Sequence, residues 1–183
     1  MFRFIATTLY PNFPASYRSD YPLNEAVGRL RGSVETNGFY ALLKESAVGK
    51  VSERHVRLQR VIPFFGNSFK PIFVGTFRQK AEGVFLEGKF TTFMYSKIFM
   101  TLWFGFASLW TFLATAYAIF AAVAMVIKPS VASAQDNLFR VLPFPFFGLL
   151  FIALGYGMVR FSWWLSRGDI DFLSRTILGA LTK

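Results

Sequence analysis

Cysteine is absent from the 183 residues, and His55 is the only histidine. The first absence excludes disulfides, thiolate nucleophiles and cysteine-ligated metals. The second excludes a histidine metal cluster and a conventional Ser-His-Asp triad, leaving His55 a structural or exposed role. Acidic residues are scarce, ten against twenty Lys and Arg. Asp169 and Asp171 lie two positions apart, so on a helix they do not share a face, and capping a helix N-terminus is a simpler role for them than acid–base catalysis. No glycine-rich loop carries the Lys-Ser/Thr of a phosphate cradle. These gaps point away from an enzyme and imply no cofactor and no metal.

Charged residues make up only 16% of the chain, against the ~25% usual in soluble domains, while 54% is hydrophobic. The apolar residues are concentrated. Ile98 to Ile127 holds no charge between Lys97 and Lys128, and a second uncharged run, Val141 to Val159, lies between Arg140 and Arg160. A helix rises about 1.5 Å per residue and a hydrocarbon core is about 30 Å thick, so each run is long enough to cross it. The pair predicts a transmembrane hairpin. The first run would extend about 45 Å, so it should tilt or begin in the headgroup layer, where Trp103 and Trp110 fit an interfacial anchor. Ala116, Ala118, Ala121 and Ala122 predict its contact with the second run, where Gly148, Gly155 and Gly157 play the matching part. Pro143 and Pro145 suit a first turn, and Trp163 and Trp164 form an aromatic belt at the exit. Neither run contains an interior charge, which removes the usual sign of an ion pathway.

The N-terminal stretch MFRFIATTLYPNF makes a poor signal peptide, its apolar part being short and interrupted, so Met1 is read as the mature start. Arg78, Lys80, Lys89 and Lys97 precede the first run, and Arg160, Arg167, Arg175 and Lys183 follow the second. The loop between them has Lys128 and Arg140. Cations are retained on the cytoplasmic side, which predicts a multi-pass protein of the inner membrane with both termini inside. The expected layout is a cytoplasmic domain over 1–96, transmembrane helices over 97–127 and 141–164, an external loop over 128–140, and a cytoplasmic amphipathic helix over 165–183. In that last segment Ile170, Leu173, Ile177 and Leu181 recur at helical spacing, for a helix lying on the membrane or packing on the domain.

The domain reads as α+β. Leu23, Ala26, Val27, Leu30 and Val34 predict one helix between Pro22 and Glu35. Strands are expected over Lys50–Ser52, His55–Ile62, Phe69–Arg78 and Val84–Thr92, as an antiparallel meander with a turn at Ala81, Glu82 and Gly83. Pro71 inside the third implies an edge strand or a bulge, because proline cannot donate a ladder hydrogen bond. Only Phe93 to Lys97 joins the last strand to the first apolar run, so the domain should sit directly on the bilayer. Residues 1–97 carry fourteen Lys and Arg against seven Asp and Glu, a balance of +7 suited to an anionic leaflet. The cations are scattered, without RNP, zinc-finger or helix-turn-helix patterns, which disfavours nucleic acid.

Between Arg60 and Gly75 the sequence RVIPFFGNSFKPIFVG places an Asn67-Ser68-Phe69 turn before Pro71 and Gly75, and the pattern continues through Leu86, Gly88 and Phe90. This stretch resembles one in small uncharacterised bacterial membrane proteins with an Asn-Ser-Phe-x-Pro-x-x-x-Gly strand pair before transmembrane helices. The resemblance implies a bacterial inner-membrane protein and adds no site. The candidate binding surface is Arg57, Arg60, Asn67, Ser68, Lys70 and Pro71. The favoured expectation is a non-catalytic module for membrane lipids, a protein partner or a second copy of the chain. One alternative is an immunity-type protein against a membrane-acting toxin. Another is a membrane enzyme or transport component, which would gather Arg57, Arg60, Asn67 and Ser68 around a pocket.

Overall fold

The computed structural model describes residues 10–35, 43–64, 66–127, 140 and 142–183. The chain divides into two compact units, Met1–Ser96 with Arg160–Lys183, and Lys97–Val159. Most of the expected external loop, 128–139, and the first nine residues lie outside the described residues.

The first unit is α+β. Strands β1 (Phe13–Ser19), β2 (Ser46–Val51), β3 (Val56–Val61), β4 (Pro71–Lys80) and β5 (Gly83–Thr92) form one antiparallel sheet in the order β1-β5-β4-β3-β2. The four-strand meander expected from sequence is present, and β1 is an addition to it. Its sequence FPASYRS alternates weakly and contains Pro14, which an edge strand tolerates because a ladder amide is dispensable there. Pro71 corrects the expectation of an edge strand or bulge. It is the buried first residue of β4, which is central, and a missing amide is also tolerated at a strand's first position. Phe69 falls before β4, so the inward face of that strand is Pro71, Phe73, Gly75 and Phe77.

Helix α1 (Leu23–Gly32) buries Ala26, Val27 and Leu30, and Arg29 and Glu25 pair one turn apart on its exposed side. The final helix of the chain, Arg167–Leu181, packs against β1, β3, β4 and α1. Its Leu173, Ile177 and Leu181 are fully buried in the same core as Leu30, Val56, Leu58, Phe73, Leu86 and Phe90. Of the two roles expected for this segment, it therefore takes the packed one. Pins at its middle and its C-terminal end hold it. Tyr17 Oη and Ser174 Oγ lie 2.8 Å apart, and the Asp20 amide donates to the Leu181 carbonyl at 2.9 Å. Burial raises the Tyr17 phenol above its ordinary value, with the Ser174 hydrogen bond opposing. Gly75 and Gly88 face each other across β4 and β5, and the Phe73 ring lies against both. A Cβ at Gly75 would come within 2.9 Å of that ring, so the absence of side chains here makes room for the fully buried Phe73 ring.

Among the described residues the remaining helices, in chain order, are α2 (Met94–Ile127) and α3 (Pro143–Leu165), with α4 naming the final helix Arg167–Leu181. By length and composition α2 and α3 are each long and apolar enough to cross a membrane. Within the second unit Gly148 lies against Thr111, and Gly155 lies against Trp103, whose Nε1 donates to the Phe151 carbonyl at 3.2 Å. Gly157 has open space beside it. The stripe of α2 with reduced exposure runs through Met100, Trp103, Ala107, Thr111, Ala114, Ala118 and Ala121, while Ala116 is exposed. Thus the contact starts nearer the beginning of α2 than its alanine-rich middle, and Trp103 belongs to it.

Candidate binding surface

The alternation of each strand sends one set of side chains into the core and the other to the opposite face of the sheet. Helices α1 and α4 cover the first face. Register then decides what stands together on the second. Lys50 is opposite Arg57, Arg57 opposite Val74, Val74 opposite Lys89, and Lys89 opposite Pro14, one row across all five strands. Two rungs away, Arg18 and Arg78 flank Phe85. Lys80, at the hairpin end, completes six cations, and Glu87 is the only acid of the strands on this face. Glu87 is engaged by Arg78 and Lys80, whose charges and hydrogen bond hold its carboxyl below the ordinary range. Arg18, Lys50, Arg57 and Lys89 are exposed and make no ion pair among the described residues.

Half-buried Val48, Val61, Val74 and Phe85 lie between the cations, and Ile72 and Thr91 are buried at one end. The remaining acids sit elsewhere: Glu25 on α1, Asp169 and Asp171 on α4, and Asp20, Glu35, Glu45, Glu53 and Glu82 in connections. Apart from Glu87, the described acids of the unit therefore lie off the strands of this face, while its cations lie on both sides of the sheet. Like charges directly opposite across strands are unfavourable, so the Lys50–Arg57 pair brings the sheet no stability. The Arg57 guanidinium lies 4.6 Å from the Phe93 ring centroid, a cation–π contact that orients it.

Of the six residues expected at the binding surface, only Arg57 belongs to this face. Arg60 is on the covered side, where Nη1 donates to Asp169 Oδ1 at 2.9 Å and Nε donates to Glu45 Oε1 at 3.0 Å. Lys70 Nζ donates to the Arg60 carbonyl at 2.7 Å. Burial lowers the Lys70 ammonium from its ordinary value, and the charge of Asp169 opposes that shift. Burial likewise raises the Asp169 carboxyl, against hydrogen bonding and charge from Arg60. Asn67 Nδ2 donates to the Ser162 carbonyl at 3.0 Å and to Ser166 Oγ at 2.8 Å. Its Oδ1 accepts from the Phe69 amide at 3.0 Å and from the Ser162 hydroxyl. The Ser68 carbonyl accepts from Ser96 Oγ, and Pro71 is buried. These five residues form or adjoin a polar seam that fixes the start of α4.

Asp169 lies in the first turn of α4, at the helix N-terminal end as expected, although it is not the cap residue itself. The cap position of α4 is Ser166, and Asp169 is buried against Arg60 instead. His55 is exposed in the β2–β3 turn, where its amide and carbonyl both bond Ser52 Oγ. A cleft of about 400 Å³ there includes His55, Lys50 and Arg31, but Arg31 is spent on the Val51 carbonyl at 3.1 Å.

Sequence reasoning missed Arg18, Lys50, Arg78, Lys80 and Lys89 as members of one surface. The signal was their placement at alternate strand positions opposite apolar residues, and only the register made it spatial. No family model, curated protein or solved structure matches the chain.

Proposed function

We propose that this is a non-catalytic membrane protein that presents the basic open face of its α+β unit to an anionic partner. Helices α2 and α3 form a hairpin through a bacterial inner membrane, with both termini in the cytoplasm. The excess of six cations over one acid on the strands of the sheet face that no described helix covers carries the reading. The length and composition of the two apolar helices support the membrane setting, as do the flanking cations. The resemblance around Asn67 to Gly75 agrees with a bacterial inner-membrane protein.

The partner is engaged by charge and by the valines between the charges, with no reaction performed on it. Site-specific photo-crosslinking in intact membranes tests this reading. A photoreactive side chain at Thr76, on the open face, should capture lipid or protein, and the same group at Asn24, exposed on α1, should capture little. Equal capture from both positions, or capture from Asn24 alone, would move the partner surface off the sheet.

A further inference from the structure

We infer that the partner of the open sheet face is the anionic phospholipid headgroup layer, an identification that rests on the reading above and narrows it. Three observations select lipid. First, the cations form a row, with Lys50, Arg57 and Lys89 spread over β2, β3 and β5, rather than a cluster converging on one point. Such a row matches many anionic groups in a plane better than one phosphate.

Second, Val48, Val61, Val74 and Phe85 are interleaved with the cations and half-buried. Short apolar side chains between basic ones suit the boundary of headgroup and acyl chain, where apolar contact adds to electrostatic attraction. Arg18 and Arg78 on either side of Phe85 repeat this arrangement at the hairpin end. Third, the chain carries two helices of membrane-spanning length and composition, so headgroups surround it at high local concentration without a separate association step. The unfavourable Lys50–Arg57 pairing then has a physical function, since headgroup phosphates between the two side chains relieve it.

The absence of cysteine provides the experiment. Thr76→Cys labelled with an environment-sensitive dye reports on the open face, and Asn24→Cys reports on α1. The full chain is placed in nanodiscs of phosphatidylcholine alone or with phosphatidylglycerol. Iodide quenching at position 76 should fall by about threefold in the phosphatidylglycerol discs, return on adding salt, and stay unchanged at position 24. Lys50→Glu with Lys89→Glu, both exposed and off the core, should abolish the fall without lowering the thermal midpoint, since Lys50→Glu relieves the repulsion with Arg57.

Equal quenching in the two lipids overturns the inference. So does protection at position 76 that requires an added oligonucleotide or an acidic protein. Photo-capture of a protein from Thr76 combined with equal quenching would retain the binding face and remove lipid as its occupant. Capture from neither face would remove the binding face itself.

Discussion

Asp169 is buried beside Arg60 and near Lys70, and the balance of burial against those charges sets its proton affinity. Burial is the larger effect, so the folded chain holds the Asp169 proton more tightly than the unfolded chain does. The stability this group contributes is therefore complete below its ordinary value of 3.8 and is lost as pH rises through the raised one. Lys70 acts in the opposite range. Its lowered affinity means that the cost of a buried ammonium is relieved as pH climbs toward 10.5. We expect Asp169→Asn to remove the fall in thermal midpoint that this group contributes as pH rises above 3.8, so that the midpoint climbs more steeply from acid pH in the variant, measured on the full chain in detergent. An unchanged slope would assign that fall to another group. The same residues explain why the candidate site was only partly legible. Arg60, Asn67 and Lys70 lie near one another in sequence and look available, but each is engaged within the first unit, Arg60 and Asn67 by residues about a hundred positions later. Periodicity has no access to contacts of that range.

At the level of elements, periodicity was sufficient for α1, the meander and both apolar helices, because each has a strong local pattern. It was insufficient for β1, whose pairing with β5 supplies what its own alternation lacks, and for the centrality of β4. The positions of Pro14 and Pro71 show why. Proline marks a place where a ladder amide is dispensable, and both an edge and a strand start meet that condition. The two glycines of α3 make a sharper case. Gly155 has Trp103 Nε1 2.9 Å from where a Cβ would stand, whereas Gly157 has nothing within 4 Å. Gly155→Ile should thus cost about 1–3 kcal/mol through overpacking and lost contact with α2, seen as a lower thermal midpoint in detergent. Gly157→Ile should be near neutral. Equal effects of the two would mean that the helices do not meet at Gly155. Sequence alone pointed to both glycines, and only the packing separates them.

The whole molecule joins two apolar helices to a unit that has six cations and one acid on the strands of one sheet face. The unit sets Asp169, Glu45, Arg60 and Lys70 in or beside the α4 seam, and leaves six cations on the far side of the sheet. A basic face of this kind is consistent with the cytoplasmic leaflet, whose anionic lipids attract basic segments. That placement requires both ends of the chain to be cytoplasmic and the residues between the helices to be external. The cysteine-free sequence permits a direct measurement with a membrane-impermeant maleimide on single-cysteine variants in intact spheroplasts. Ser133→Cys, between the two apolar runs, should label without permeabilisation, and Ser16→Cys and Thr182→Cys should label only after it. Labelling of Ser16→Cys or Thr182→Cys from outside, or of all three in a soluble fraction without detergent, would contradict the account.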